Sequence, residues 1–116
     1  MNDEQYKRYR KMNADPIKCL YKTHDKKKNI YFLISGSSGT KYKVIIPTNG
    51  KISCSCPDFT HGAKVQECVC KHCLYVIFNV LKVFTDLKHS FFTRCYFTPD
   101  EVKTIHGSYK EILRKK

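Results

Sequence analysis

Two short pairs of metal-ligand residues carry the chemistry that this sequence offers most clearly. The first pair is Cys54-x-Cys56 and the second is Cys70-x-His72. Residues two apart in a strand point to the same side, so both thiolates of the first pair can face one centre. The second pair falls at the start of a predicted helix, where the helix dipole stabilises thiolates. Three sulfurs and one imidazole nitrogen make a closed tetrahedral set, which predicts a structural Zn²⁺ site.

Other thiols near these pairs offer a rival ligand set. Cys70-x-x-Cys73 is itself a ligand spacing, and in that set His72 would turn away from the metal. Cys68 and His61 also lie close to the pairs in sequence. The remaining cysteines and histidines have no partner motif, and we expect structural roles for them: Cys19, Cys95, His24, His89 and His106.

A small antiparallel meander is predicted to present the first pair. Residues 30–34 and 41–46 are rich in β-branched and aromatic side chains, as strands are. A glycine-containing turn separates them, and the tight-turn signal of residues 47–50 leads into a third strand at 51–55. The first ligand pair therefore lies at the end of the sheet.

A buried helix over 71–85 is predicted to present the second pair. Its polar residues form one stripe, and nearly all its other positions are apolar. The stripe consists of Tyr75, Asn79, Lys82 and Asp86. The predicted fold is therefore α+β: a small antiparallel β-meander packed on a buried helix, with zinc joining the sheet end and the helix start, plus short terminal helices.

The two ends of the chain are predicted to flank this centre. Residues 2–12 form either a short helix or a flexible basic arm. Residues 98–101 have the pattern of a capping box with proline at the first helical position, followed by a helix to about His106 that Gly107 ends. We therefore divide the chain into an N-terminal basic arm or helix (1–29), a zinc-binding domain (30–97) and a C-terminal helical extension (98–116).

The ligand pattern resembles that of the SWIM-type zinc finger, which is CxC, a variable gap and then CxH. The strands before Cys54 and the apolar helix after His72 are similar to those around the finger in SWIM-containing ubiquitin ligases, over roughly residues 30–106. The resemblance favours the set with His72, because Cys73 falls where the family has an aliphatic residue. Those ligases carry a RING domain after the finger, and no second cysteine–histidine array follows here, so ligase activity is not implied. Short SWIM proteins of large DNA viruses are also similar, and a virus-encoded protein would act in the host cell or the virion.

The composition limits compartment and partners. Seven cysteines, an odd number, fit a closed disulfide framework poorly, and the N-terminus is polar rather than a signal segment. The longest apolar run, 73–84, is too short to span a bilayer. We therefore predict an intracellular protein, nuclear or cytoplasmic, that does not bind membranes. Lys and Arg number 22 against 10 Asp and Glu, and the net charge of +12 favours polyanionic partners.

The leading functional prediction is nucleic-acid binding, DNA in preference to RNA, as the family's general role implies. The candidate phosphate contacts are Lys7, Arg8, Arg10, Lys11, Lys26, Lys27, Lys28, Lys64 and Lys71. The alternative is a protein–protein interaction adaptor, linked to ubiquitin-ligase or transcription-related complexes, whose partner is an acidic protein. No nucleophile signature, phosphate loop or carboxylate pair is present, so we predict no enzymatic activity. The aromatic residues of 91–97 either pack on the helix, which we favour, or form a patch for dimerisation, so the predicted state is monomer or homodimer.

Overall fold

A four-stranded antiparallel sheet forms the centre of the computed structural model, which describes residues 1–36, 38–63 and 68–115. The strand order β1-β2-β3-β4 follows the chain. The strands are β1 (Lys18–His24), β2 (Ile30–Ser35), β3 (Lys41–Ile46) and β4 (Ser53–Cys54). The predicted α+β class with an antiparallel meander is confirmed.

The sheet has one more strand than the sequence predicted. β1 pairs with β2 along its length, with a shift of register between Cys19 and Tyr21. It is an edge strand whose side chains are mostly exposed.

The third predicted strand, 51–55, is only two residues long in the structure. Two further hydrogen bonds join Ser55 to Lys43: the Ser55 N–H donates to the Lys43 carbonyl (3.1 Å), and the Ser55 hydroxyl accepts from the Lys43 N–H (3.0 Å). These two bonds extend the β3–β4 pairing up to the metal-ligand pair.

Helices cover the rest of the described chain. They are α1 (Asp3–Ala14), a π-helical turn (Asp58–Ala63), α2 (Lys71–Tyr75) with its π-helical continuation (Val76–Leu81), α3 (Phe91–Arg94) and α4 (Pro99–Arg114). The predicted helix 71–85 ends earlier, because Lys82 takes a left-handed conformation with φ of 55°. Within the described ranges, none of these helices has both the length and the apolar character that crossing a bilayer requires.

The core lies between one face of the sheet and the helices. Alternate residues of β2, namely Ile30, Phe32 and Ile34, are buried, as the period of a strand requires. The α2 helix contacts α1, β3 and β4, and its continuation contacts α4. The aromatic residues of 91–97 pack mainly inward: Phe91, Phe92 and Phe97 are buried, whereas Tyr96 is exposed.

The turn before β4 is tied to the segment before α4. Gly50 has φ of 82°, and the Phe97 N–H donates to its carbonyl at 2.8 Å. A Cβ at Gly50 would lie 2.0 Å from the Phe97 carbonyl oxygen, so only glycine fits. This contact fixes the turn that feeds β4, and therefore the approach of the first ligand pair.

The capping box of α4 is present, but the predicted end of this helix is wrong. The Thr98 hydroxyl accepts from the Glu101 N–H, and the Glu101 carboxylate accepts from the Thr98 N–H. The helix passes through Gly107 and runs on to Arg114. A Cβ at Gly107 would meet nothing, and the following turn buries Tyr109 against the core, which outweighs the roughly 1 kcal/mol helix cost of glycine.

Glu101 is the centre of a polar cluster at the start of α4. Its carboxylate accepts two hydrogen bonds from Arg94, at 3.1 and 2.9 Å, and His89 Nε2 lies 3.4 Å away. Burial opposes ionisation of Glu101, but the bonds from Arg94 and the Thr98 N–H, together with the charges of Arg94 and His89, hold its pKa below its usual range. The ionised form of Glu101 therefore stabilises the fold.

We expect Glu101→Gln to lower the free energy of unfolding at neutral pH by about 1–3 kcal/mol, because the charged hydrogen bonds from Arg94 become weaker bonds to a neutral amide, although the amide oxygen can still accept from the Thr98 N–H. A lowered pKa gives stability that is fully present above the unfolded-state pKa of about 4.3 and is lost as the pH falls through the folded-state pKa. Thermal unfolding curves of the two proteins should therefore converge in acid. The control is Glu111→Gln, in an exposed pair with Arg114 on the same helix, with an effect under about 0.5 kcal/mol. A difference that does not change with pH would contradict the assigned role of the carboxylate.

Candidate metal centre

The first ligand pair lies at the end of β4. Cys54 pairs with Val44 of β3, and Cys56 follows two positions later. Cys54 and Cys56 are buried whereas Ser55 between them is exposed. The alternation of a strand therefore continues through the pair and turns both sulfurs to the inside.

The second pair lies at the start of α2. Cys70 is the N-cap residue, and its extended backbone (φ −74°, ψ 169°) lets its carbonyl accept from the Leu74 N–H at 3.1 Å. His72 falls in the first helical turn and is 4% exposed. The Cys70 side chain makes no cap hydrogen bond to α2 and lies in the cluster with the other ligand residues instead.

The fold brings these four side chains to one place. One ligand atom from each of Cys54, Cys56, Cys70 and His72 lies within 4.8 Å of the other three. His72 Nδ1 is 3.9 Å from the Cys54 sulfur and 3.9 Å from the Cys70 sulfur. A zinc tetrahedron has metal–sulfur bonds of about 2.3 Å and metal–nitrogen bonds of about 2.0 Å, and hence ligand–ligand edges of roughly 3.5–3.8 Å. The group could therefore hold a metal ion with only small adjustments.

The His72 ring is held from its outer side by the sheet. The Tyr42 ring of β3 packs against it, with centroids 4.8 Å apart. A Cβ at Gly36 would lie 3.3 Å from His72 Nε2 and 3.2 Å from the Tyr42 ring, so a larger residue here would displace these rings by a few tenths of an ångström. Nε2 is buried and has no hydrogen-bond partner within the described chain. Nδ1, which faces the sulfurs, is the nitrogen that can bind a cation.

Crowding of the thiols makes the cluster costly to ionise without a cation. The neighbouring Cys56 thiol is the main reason that the pKa of Cys54 lies well above its usual range, with Cys73 and burial adding to it. Cys54 lowers the pKa of Cys56, but Cys70 and burial outweigh this and raise it to about 11. Metal binding must displace these protons, so affinity for the metal should rise with pH.

A fifth sulfur lies next to the four. The Cys73 sulfur is 3.7 Å from that of Cys70, and its side chain is fully buried. His72 points towards the cluster. The set of four ligands requires this orientation, whereas in the rival set with Cys73 the imidazole would turn away from the metal. Cys68 instead contacts the Asn2 side chain at 3.5 Å.

A groove with many basic residues runs beside the metal centre. It has a volume of about 560 Å³ and lies between α1 and the start of α2, where Cys70 and His72 line it. Its basic residues are Lys7, Arg8, Arg10, Lys11 and Lys71, and its acidic residues are Glu4 and Asp58. All five of these cations are among the phosphate contacts that the sequence predicts.

Three of the five cations already have acidic partners. Arg8 makes two hydrogen bonds to Asp58, both 2.9 Å, and this is the main reason that the pKa of Asp58 is lowered. Lys71 lies 2.6 Å from an Asp15 carboxylate oxygen, and Lys7 lies 3.2 Å from Glu4. Within the described chain, Arg10 and Lys11 make no ion pair. Arg10 lies over the half-exposed Tyr6 ring, 5.4 Å from its centroid.

The other candidate phosphate contacts lie elsewhere. Lys26, Lys27 and Lys28 form the exposed β1–β2 turn, and Lys28 lines a second pocket with residues of α4. Lys64 lies outside the described residues. The basic residues of the sequence are therefore distributed over at least two separate areas.

Sequence reasoning missed the polar residues that attach α1 to the metal centre. Gln5 is 0% exposed and makes two hydrogen bonds to the backbone of Val69, the residue before Cys70. Arg8 reaches Asp58 in the π-helical turn that follows the first ligand pair. No sequence signal marks these contacts, because a helix that packs through polar side chains lacks the apolar periodicity of a buried face.

Comparisons with known proteins do not add to this geometry. No family model, no curated protein sequence and no solved structure matches the chain.

Proposed function

We propose that this chain is a non-catalytic zinc-binding module of the SWIM type that binds nucleic acid, DNA in preference to RNA, through a basic surface. The observation that supports it is the buried set of Cys54, Cys56, Cys70 and His72, whose ligand atoms lie within 4.8 Å of one another. Thiolate sulfur and imidazole nitrogen are the ligands that Zn²⁺ prefers, whereas magnesium and calcium prefer oxygen. The spacing CxC followed by CxH is the one that the SWIM pattern has.

A structural role follows from the number and burial of the ligands. Four protein ligands complete a tetrahedron and leave no position for a water molecule or a substrate. Each of the three cysteines is 4% exposed or less. The ion would connect the end of the sheet to the start of α2 and stabilise the fold, without activating a reactant.

The metal proposal is tested by measuring zinc in the purified protein and titrating it with a chelator. We expect one zinc per chain, bound through three thiolates and one imidazole in an X-ray absorption spectrum. Chelation should be accompanied by a loss of tertiary structure in near-ultraviolet circular dichroism, because metal binding and folding are linked. A purified, folded protein without zinc would refute the proposal.

The groove beside the metal centre is the surface best suited to a phosphate backbone. Arg10 and Lys11 are exposed there, and Tyr6 offers a ring on which a base could stack. Lys7 and Lys71 add positive charge near them, although each is paired with a carboxylate. Contacts of this kind bind the backbone and predict little sequence specificity.

We expect the double variant Arg10→Gln/Lys11→Gln to weaken nucleic-acid binding and to reduce the slope of log K against log salt by about 2, because each of the two cations would neutralise one phosphate. These residues are better targets than Lys71, because Lys71→Glu would place a second carboxylate next to that of Asp15. Fluorescence anisotropy with single- and double-stranded DNA and RNA across a salt series measures both quantities. The control variant Lys103→Gln/Lys115→Gln removes the same charge from exposed positions on α4 and at its C-cap. An equal effect of both double variants would show that only the total charge matters and that the groove is not the site.

A protein-interaction adaptor is the second candidate, with a partner in ubiquitin-ligase or transcription-related complexes. The exposed edge strand β1 favours it, because Leu20 and Tyr21 are 46% and 55% exposed there. A peptide strand could pair with this edge. Partners that remain bound after nuclease treatment in high salt, and that Tyr21→Lys releases, would favour the adaptor over the nucleic-acid binder.

A further inference from the structure

A pair of thiols at the start of α2 has the arrangement of a dithiol that can be oxidised. Cys70 and Cys73 form a C-x-x-C sequence in which Cys70 is the N-cap and Cys73 lies in the first turn. Their sulfurs are 3.7 Å apart and neither residue is in a disulfide. Side chains three apart on a helix are neighbours, and their backbone separation is within the range that a disulfide bridges. A bond between them requires little movement of the backbone.

Both thiols are fully buried, but the two residues differ in their position relative to the groove. Cys70 is 0% exposed but belongs to the lining of the groove between α1 and α2, so a small local opening on that side would admit a molecule of the size of hydrogen peroxide. Cys73 is fully buried behind it, next to Leu74 and the other cysteines. The Cys73 sulfur lies 3.7 Å from that of Cys70, within reach of any product formed there. One cysteine is therefore placed to react first and the other to resolve the product.

We propose that Cys70 and Cys73 are an oxidation site, at which a peroxide converts the two thiols into a disulfide and removes a ligand from the metal centre. The Cys70 thiolate attacks one peroxide oxygen, the O–O bond breaks, and hydroxide leaves and takes a proton from solvent. The Cys73 sulfur then attacks the sulfenic sulfur of Cys70, and the S–O bond breaks. The sulfenic OH leaves as water with the Cys73 proton, so two sulfurs lose two electrons while the peroxide becomes two waters.

Release of the metal is the consequence, and this step rests on the proposed zinc site. A disulfide sulfur is not a thiolate, so only Cys54, Cys56 and His72 would remain as ligands. Three ligands without Cys70 no longer close the tetrahedron that connects the sheet to α2. Oxidation would therefore release zinc and loosen the segment that borders the basic groove.

The test is to oxidise the purified zinc-loaded protein with hydrogen peroxide, following zinc release with a chromogenic chelator and mapping disulfides after alkylation. Trypsin cleaves after Lys71, so a bond between Cys70 and Cys73 links two peptides, 65–71 and 72–82. A bond between Cys54 and Cys56 would lie within one peptide, 52–64. Fragmentation of the linked peptides distinguishes Cys70 from Cys68. We expect the Cys70–Cys73 bond to form as zinc is released.

Cys73→Val and Cys73→Ala test the resolving role. Both variants keep all four proposed ligands, and valine replaces the buried sulfur with a similar apolar volume. We expect each to bind zinc as the wild type does, but to release it severalfold more slowly, with Cys70 ending as a sulfenic or higher acid. Cys19→Ser, which changes a thiol outside the cluster, should behave like the wild type.

The outcomes separate this inference from the zinc proposal. Release at the wild-type rate from both Cys73 variants, or a disulfide that joins other cysteines, would overturn the oxidation site while leaving the zinc site intact. A protein that purifies without zinc would overturn the zinc site. In that case a mapped Cys70–Cys73 bond, formed on peroxide treatment of the wild type and of Cys19→Ser, would still support the oxidation site.

Discussion

Replacing Cys56 with serine should leave the protein without stoichiometric zinc and without a cooperative unfolding transition. A serine hydroxyl does not ionise at neutral pH and is a poor ligand for zinc compared with a thiolate. Structural zinc in finger peptides is worth roughly 10–16 kcal/mol of apparent binding energy, whereas whole domains are stable by only about 5–15 kcal/mol. Removal of one of the four proposed ligands should therefore cost most or all of the stability of the fold.

Metal content by mass spectrometry and thermal unfolding by circular dichroism measure the two parts of this prediction. Cys19→Ser is the matched control, because Cys19 is a half-buried thiol on β1 that does not belong to the cluster. It should keep one zinc per chain and change the free energy of unfolding by less than about 1 kcal/mol. If Cys56→Ser also keeps one tightly bound zinc and a wild-type melting temperature, Cys56 is not a ligand and Cys73 becomes the first candidate to replace it.

The candidate metal centre was predictable because its signal is local. Two residues separated by one position share a side of a strand, and Cys54 and Cys56 do so at the end of β4. Cys70 and His72 similarly fall at the start of a helix whose apolar residues are apparent in the sequence. The strands β2 and β3 were also predictable, because their buried residues alternate with less buried ones and a turn separates them.

The edge strand β1 could not be predicted from an alternating pattern of this kind. β1 contains two lysines, a threonine and a histidine among its seven residues, and its exposure does not alternate regularly. An edge strand is stabilised by hydrogen bonds to one neighbour and has little need of apolar side chains. The hydrogen bonds between β1 and β2 therefore stabilise β1 as a strand, and the amino-acid composition of β1 does not reveal them.

Helix ends were predicted poorly for a related reason. Lys82 and Cys95 end their helices in left-handed conformations, with φ of 55° and 65°, although neither is glycine. Gly107, the expected end of α4, lies inside the helix instead. Local propensity is worth about 1 kcal/mol, and the burial of a single large side chain in the core is worth more, so tertiary packing decides where these helices stop.

Truncation of Gln5 to alanine should lower the free energy of unfolding by about 3–5 kcal/mol, which would be an unusually large effect for a polar residue. The Gln5 amide nitrogen donates to the Val69 carbonyl at 2.8 Å, and its oxygen accepts from the Val69 N–H at 2.9 Å. The side chain therefore pairs with a backbone segment as a neighbouring strand would. Alanine would leave a cavity and two buried backbone groups without partners, and each unpaired group costs about 1–3 kcal/mol. Because Val69 precedes Cys70, the apparent affinity for zinc should fall as well.

Two further variants divide this effect into its parts. Gln5→Met restores most of the volume but neither hydrogen bond, so it should remain at least about 2 kcal/mol less stable than the wild type. Lys7→Ala changes an exposed residue on the same helix and should shift stability by no more than about 0.5 kcal/mol. Denaturant unfolding of the four proteins with zinc present gives the comparison. If Gln5→Ala is as stable as Lys7→Ala, α1 is a detachable basic arm, and the groove that it forms with α2 is not a fixed surface for nucleic acid. If Gln5→Ala lowers the free energy of unfolding by the expected amount, α1 is an integral part of the metal-binding unit, because the Gln5 side-chain amide makes the two hydrogen bonds to Val69 that a backbone peptide group of a neighbouring strand would make.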